Sequence, residues 1–374
     1  VEEHPLARIG VIAGDGVGPE VVAEALAVLD RVAEHHGLDL ELARFDLGAE
    51  RYLRTGEALP EAEVEKLREC DALLLGAVGD PRIPPGVLEK GLLLKLRFDF
   101  GQYVNLRPVR LFPGVSTPIA GKGPDQIDLV VVRENNEDLY VGAGGFLRKG
   151  TPEEVAIQTS MNTRAGVDRC LRYAFELAAR RAQERVFPGL SESERKSGHR
   201  GVVTLVAKTN VLTYAHDLWM RAFEAAAAGY PRLKASYFHV DACCMRLVTN
   251  PEWFDVIVTT NMFGDIITDL GAVLQGGMGV AGSGNINPER TAPSMFEPVH
   301  GSAPDIAGRG IANPIAAILS VGLMLDHLGC SAGSDDVRAA VERVLVTRAP
   351  RTPDLGGSST TREVGQAVLK ALER

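Results

Sequence analysis

The run NMFGDIITDLG, Asn261 to Gly271, sets Asp265 and Asp269 in otherwise core-like sequence. Four residues apart on a helix, their carboxylates share one face. A third carboxylate, Asp241, closes the apolar run in FHVDACCM. These are hard oxygen donors with no His or Cys companion, a ligand set suited to Mg2+ or Mn2+ rather than zinc. Helix capping explains a single aspartate at such a place. It does not explain Asp269, which falls a full turn inside the expected helix.

Basic side chains recur in similar surroundings. Arg97 ends GLLLKLR, Arg107 lies in VNLRP and Arg133 in VVRENNEDLY. Each follows or interrupts apolar sequence, in what read as strand-end positions. A buried guanidinium needs a partner, and its planar fork matches a carboxylate. That leaves two readings: structural ion pairs, or a pocket for an anionic substrate. Tyr140, seven residues after Arg133, is either a phenolic acid or a core aromatic. Lys208, in LVAKTNVL, ends an apolar strand, where a lysine is costly unless paired or functional. Lysines so placed serve as acids or bases.

The elements that must position these groups follow from periodicity. RIGVIAG, DALLLGAV, IDLVVVRE, GVVTLVAK and FDVIVTT read as strands buried on both faces. EVVAEALAVLDRVAEHH, EAEVEKLREC and AGVDRCLRYAFELAARR read as helices between them. Such alternation means an α/β fold with a mostly parallel sheet. VIAGDGVGPEVV has a strand, glycines and a helix, yet Gly14, Gly16 and Gly18 lack the spacing of a dinucleotide fingerprint. A tight strand-to-helix turn with Pro19 near the helix start accounts for them. The polar stretch from Glu184 to Gly201 reads as a solvated surface loop. GSGNINPERTAPSM, Gly282 to Met295, reads as a second irregular region. PIAAILSVGLML is too short to cross a bilayer and reads as a core helix. The tail APRTPDLGGSSTTREVGQAV reads as a loop and then a helix capped by Ser or Thr.

The chain has 374 residues, enough for one large or two medium domains. Its apolar share of 45% and charged share of 24% place it with soluble globular proteins. A formal net charge of −9 argues against nucleic acid as a partner. The 5 cysteines form no C-x-x-C pair, which gives neither a disulfide framework nor a zinc site and suits a reducing cytoplasm. VEEHPLARIG has no signal-peptide pattern. A cytoplasmic protein without membrane contact is therefore expected.

Taken together, GDGVGPE, NLRP, VREN with Tyr140, KTNVL, FGDIITDL and EPVHGSAPDIAGRGIANP resemble one family. It is that of the metal-dependent β-decarboxylating dehydrogenases acting on isopropylmalate, isocitrate, homoisocitrate, and tartrate or D-malate. The resemblance runs from GDGVGPE to TPDLGG, nearly the whole chain. It implies the two-domain α/β/α fold of isopropylmalate dehydrogenases, with a mostly parallel central sheet, not a true Rossmann fold. One domain would hold residues 1–103 and 279–374, the other 104–278.

The resemblance also implies roles. Arg97, Arg107 and Arg133 would bind the carboxylates of a malate core, with Asn210 beside them. Tyr140 and Lys208 would be the acid–base pair. Asp241, Asp265 and Asp269 would hold Mg2+ or Mn2+, with Asp241 and Lys208 entering from the partner of a homodimer. His300, Gly301, Ser302, Ala303, Asp305, Ile306 and Asn313 would form the cofactor loop, with Glu89 at the nicotinamide. Asp305 would bond the ribose hydroxyls and repel a 2′-phosphate, so NAD is expected. NADP-using relatives carry Lys–Tyr in place of Asp305–Ile306.

For the substrate, Leu92, Leu93 and Leu94 would offer an apolar wall where isocitrate enzymes use Ser or Thr. That ranks 3-isopropylmalate first, a step of leucine biosynthesis. D-malate or tartrate comes second, because VNLRPVRLFPG, GKGPDQID and NINPER resemble those enzymes, and isocitrate-like acids third. The stretch from Glu89 to Arg97 is one residue longer than in the shorter isopropylmalate form. The family also contains catalytically silent regulatory subunits. These lose metal or base residues, whereas every such residue named above is present here.

Overall fold

The structure is a computed structural model and describes residues 7–373. The chain begins with β1 (Ala7–Gly14), α1 (Gly18–His36), β2 (Leu40–Arg44), α2 (Ala49–Thr55), α3 (Glu61–Arg68) and β3 (Ala72–Ala77). A π-helical turn, Glu89–Leu94, leads into α4 (Lys95–Asp99). Next come β4 (Val104–Arg110), β5 (Asp128–Glu134), β6 (Gly144–Leu147), β7 (Val155–Gln158), α5 (Arg164–Glu184) and α6 (Glu192–Lys196). They are followed by β8 (Gly201–Ala207), α7 (Ala215–Ala227), β9 (Leu233–His239), α8 (Val240–Thr249), β10 (Val256–Thr259) and α9 (Asn261–Leu274). The chain closes with β11 (Gly282–Ile286), β12 (Ser294–Pro298), α10 (Ile315–His327), α11 (Ser331–Thr347) and α12 (Thr361–Leu372).

Two compact units result. One comprises Val1–Gln102, Arg110–Pro124 and Ala272–Arg374, the other Tyr103–Val109 and Asp125–Gly271. The bounds expected from sequence differ in giving 110–124 and 272–278 to the middle unit and Tyr103 to the other.

In the first unit the strand order is β2-β1-β3-β12-β11. All neighbours are parallel except β11 and β12. Every residue of β3 is buried, as a strand covered on both faces requires. Against these strands pack α1 and α10, with α11 and α12 packed on those two helices and on each other. α1 buries one stripe, Val21, Val22, Ala25, Leu26, Val28, Leu29 and Val32, and stops at Gly37 in the left-handed region. α10 is buried on nearly all sides, which explains its uniform hydrophobicity. Thr360 and Glu363 form a capping box at the start of α12, as the run of Ser and Thr suggested.

In the second unit the order is β4-β5-β10-β8-β9, with β5, β10, β8 and β9 parallel. β8 and β10 are buried throughout. α5 lies over them, its Val167, Cys170, Leu171, Ala174, Phe175 and Ala178 buried as the spacing required. β6 and β7 stand as a two-stranded antiparallel ribbon whose residues are all exposed.

Two stretches expected to be irregular are ordered. Between Glu184 and Gly201, Ser191 and Glu194 cap α6, while Phe187 and Leu190 bury beside Val202. GSGNINPERTAPSM supplies most of the β11–β12 hairpin, which is buried along its length. Among the described residues no helix is long and apolar enough to cross a membrane.

Candidate active site

In the second unit, β10 ends in buried polar residues and α9 begins at Asn261. The first turn of a helix has unpaired N–H groups, and Asp138 Oδ2 accepts the Met262 N–H at 3.0 Å. Asn261 is fully buried. Its Oδ1 accepts Arg133 Nε at 3.0 Å and Nη2 at 2.7 Å. Arg133 Nη1 lies 2.5 Å from Asp265 Oδ1. Tyr140 donates its hydroxyl to Asp265 Oδ2 at 2.8 Å, and the guanidinium carbon of Arg133 lies 5.4 Å from the Tyr140 ring centre. Gly264 makes this approach possible, because a Cβ there would overlap the Arg133 side chain. Arg133, Tyr140 and Asp265 therefore form one constellation, locked by Asn261.

One turn further, Arg107 donates from Nη1 to Thr268 Oγ1 at 3.0 Å and from Nε to Asn105 Oδ1 at 2.6 Å. Its Nη1 stands 4.0 Å from Asp269 Oδ1. Partial burial, and then the charge of Asp265, push the Asp269 carboxyl above its ordinary range. The paired carboxylates on one exposed helix edge repel each other, and a divalent cation would relieve that repulsion. The donor set thus fits Mg2+ or Mn2+.

Lys208 follows β8, and its Nζ lies 2.8 Å from Asp241 Oδ2. That ammonium holds Asp241 below the usual carboxylate range. Asp241 does not end the strand. It sits in the first turn of α8, where a negative charge suits the helix dipole. Asn210 is exposed. Among the described residues no three His, Cys, Asp or Glu side chains gather closely enough for a metal, so Asp241 stands apart from Asp265 and Asp269.

The first unit carries the remaining candidates. Arg97 is on α4, not at a strand end; Arg107, of the second unit, likewise lies within a strand, β4. Arg97 is buried, with Nη2 3.2 Å from Glu297 Oε1, which also accepts Asn285 Nδ2 at 2.8 Å. Leu92 belongs to the hydrophobic core beside Leu88 and Leu96 and offers no pocket wall. Leu93 packs partly on that core and Leu94 is half-buried. The π-helical turn is the physical reason, since it admits an extra residue into a helix and rotates the side chains along it. Glu89 is exposed and accepts the Gly86 N–H at 2.9 Å.

The loop from His300 onward is braced by the glycine turn after β1. Val17 N–H donates to Ser302 O at 2.9 Å. Gly16, at φ 57°, lies so close to that carbonyl that no Cβ would fit. The motif serves this contact. Glu20 accepts the Gly308 N–H. His300 donates from Nδ1 to Gly301 O at 3.0 Å, while its buried Nε2 lacks a partner. Burial holds His300 below its ordinary range, so it is neutral. Gly301 and Asp305 are exposed, Ser302 is buried, and Ala303 and Ile306 lie between. A neutral imidazole with an open nitrogen and an exposed carboxylate fit a nucleotide. Asn313 is buried with its amide engaged at both ends, Oδ1 by the Ile315 N–H and Nδ2 by Asp354.

Sequence reasoning missed Asn261, Asp138, Thr268 and Glu297. Of these, Asn261 carried a signal: it opens a helix directly after a buried strand, where a polar side chain must find partners.

A family model described as isocitrate/isopropylmalate dehydrogenase matches residues 8–368. The chain is 55% identical to the 3-isopropylmalate dehydrogenase of Thermobifida fusca, covering 97% of each chain. It is 53% identical to that of Mycolicibacterium paratuberculosis, over 98% of this chain and 100% of the other. Its fold is similar to the crystal structure of isocitrate dehydrogenase from Methylococcus capsulatus. There the TM-score is 0.85 and the identity 34%, over 98% of this chain and 100% of that one.

Proposed function

The chain belongs to the isocitrate/isopropylmalate dehydrogenase family, and we propose that it oxidatively decarboxylates 3-isopropylmalate with NAD and a divalent cation. The products are 2-oxoisocaproate, CO2 and NADH. The observation that carries this reading is the constellation of Arg133, Tyr140, Asp265 and Asp269 in one unit, in a chain so similar to named 3-isopropylmalate dehydrogenases.

Arg107 and Arg133, with Arg97, bind the carboxylates of the malate core. Asp265 and Asp269, joined by Asp241 of a second copy, hold the cation. When bound, the cation would supply a Lewis acid for the 2-oxygen and NAD would supply the acceptor for the hydride of C2. Lys208, also of the second copy, takes up the proton of the 2-hydroxyl. The C3–carboxylate bond then breaks, and its electron pair passes to C3, which Tyr140 protonates. The Tyr140 hydroxyl lies 2.8 Å from Asp265 Oδ2, and its place beside the carboxylates supports that role. Leu94, with Leu93 behind it, forms the wall for the C3 substituent. Burying a branched alkyl group there contributes about 1.5–3 kcal/mol. A charged arm meets the same wall without a partner.

The enzyme works as a homodimer through the second unit. Phe146, Ile157, Val211, Tyr214, Met245 and Trp253 are exposed there, and large apolar side chains left in water support a covered face. A turnover assay with Mn2+ and NAD, across 3-isopropylmalate, D-malate, tartrate and isocitrate, tests the substrate. The highest kcat/KM is expected for 3-isopropylmalate. Equal or better turnover of isocitrate would overturn the assignment.

A further inference from the structure

Lys208 lies one residue beyond β8, and the parallel pairing of β8 with β9 ends at Ala207. The peptide groups that follow must find partners outside the sheet. Two side chains provide them. His216, in the first turn of α7, accepts the Lys208 peptide N–H at Nδ1 over 2.7 Å. Tyr237, on the edge strand β9, accepts the Thr209 peptide N–H at 3.2 Å and shares a 2.8 Å hydrogen bond with Thr209 Oγ1. The Tyr237 hydroxyl is fixed in turn by His239 Nδ1 at 3.0 Å, with the two rings edge to face. The Lys208 carbonyl accepts the N–H groups of Val211 and Leu212. Successive peptide planes at Lys208 and Thr209 are thus clamped from opposite elements.

The clamp is buried where it begins. His216 is 2% exposed, and its ring meets Phe263 edge to face at 5.3 Å. An imidazole that accepts at Nδ1 must carry its proton on Nε2. Beyond the clamp, Asn210 to Tyr214 are all exposed.

We propose that His216 and Tyr237 are positioning residues for Lys208, fixing its backbone so that its ammonium meets the substrate at the right place. Neither touches the substrate. The proposal rests on Lys208 being the acid–base group. Misplacing such a group by about 1 Å costs about a hundredfold in rate. The loss should fall on kcat and leave KM alone, because the clamp orients a group used in the transition state.

The test measures kcat and KM for 3-isopropylmalate in Lys208→Met, His216→Leu, His216→Asn and Tyr237→Phe. His216→Leu removes the acceptor and should lower kcat roughly ten- to a hundredfold. His216→Asn puts an amide oxygen near the place of Nδ1 and should restore most of that loss. Tyr237→Phe keeps the ring and should lower kcat with KM unchanged. If Lys208→Met turns over at the wild-type rate, the acid–base reading itself fails. If Lys208→Met is inactive while His216→Leu and Tyr237→Phe keep the wild-type kcat, the clamp alone is wrong. A loss in His216→Leu that His216→Asn does not relieve also overturns it. Should His216→Leu fail to fold, Tyr237→Phe and His216→Asn decide the matter.

Discussion

Replacing Gly264 with alanine would put a methyl group where the Arg133 side chain now runs. Overpacking of this kind costs about 1–3 kcal/mol. Here it would also push a guanidinium off Asn261 and Asp265, so kcat/KM should fall about a hundredfold. Steady-state kinetics alongside thermal unfolding would check this. Wild-type kinetics in Gly264→Ala would show that Arg133 does not need its present seat. Asp265→Asn should reduce turnover by orders of magnitude, and excess chelator should do the same to the unaltered chain. Full activity in chelator would remove the metal from the reaction. On the proposed reading, the exposed Asp305 would repel a 2′-phosphate, so Asp305→Lys with Ile306→Tyr should move preference from NAD toward NADP. A wild-type preference for NADP in kcat/KM would refute that role. The charged residues of this site were legible because a buried or clustered charge stands out in apolar sequence. Their partners were not, because Asn261, Thr268 and Glu297 are ordinary polar residues until the fold brings an arginine to them.

At the scale of elements, the turn from Glu134 to Asp138 carries Arg133 at one end and steadies α9 at the other. Glu134 is buried, and it accepts the N–H groups of Asn136 and Glu137 at 2.8 Å each. Burial pushes its carboxyl up to about 7, against an ordinary value of 4.5. Between those limits the folded chain holds a proton that the unfolded chain has released. This group's contribution to stability is therefore full below 4.5 and is lost as pH rises through about 7. Glu134→Gln abolishes the titration but turns one acceptor into a donor facing a peptide N–H. The variant should be less stable than wild type at pH 5, and the gap should narrow by a few kcal/mol, to order of magnitude, by pH 8. Urea unfolding at a series of pH values would measure this, and a constant gap would contradict it. Elements with apolar patterning were legible: β3, β8, β10 and α10 bury what the sequence makes hydrophobic. The β11–β12 hairpin was not. Its Ser283, Asn285 and Asn287 look like loop residues, and in the fold their hydroxyl, amide and peptide donors meet Glu297, Phe100 and Ser294. Likewise α6 follows from a local capping box in a segment whose charge had suggested only a solvated loop.

For the whole molecule, among the described residues the three aspartates proposed as metal ligands do not gather into one cluster. Asp265 and Asp269 face Arg133 and Arg107, while Asp241 is taken by Lys208. On the proposed reading, a second copy completes each site by bringing its Lys208 and Asp241. The exposed apolar residues of the second unit, with Tyr214 at 92% exposure, are the surface on which it would dock. This arrangement makes a prediction that a self-sufficient subunit would not. Lys208→Met should be inactive because every site lacks the acid–base group. Asp265→Asn should be inactive because every site lacks a metal ligand. When the two are unfolded, mixed and refolded together, half of the dimers should be hybrids. In a hybrid, one site carries both defects and the other carries neither. Random pairing therefore returns about a quarter of the wild-type activity, by the statistics of two equally abundant subunits that form symmetric oligomers. Subunits that each held a complete site would return nothing, since every site would keep one defect. Sedimentation of the mixture should show the dimer throughout. A dimer that regains no activity would separate the two claims, keeping the interface and rejecting the shared site.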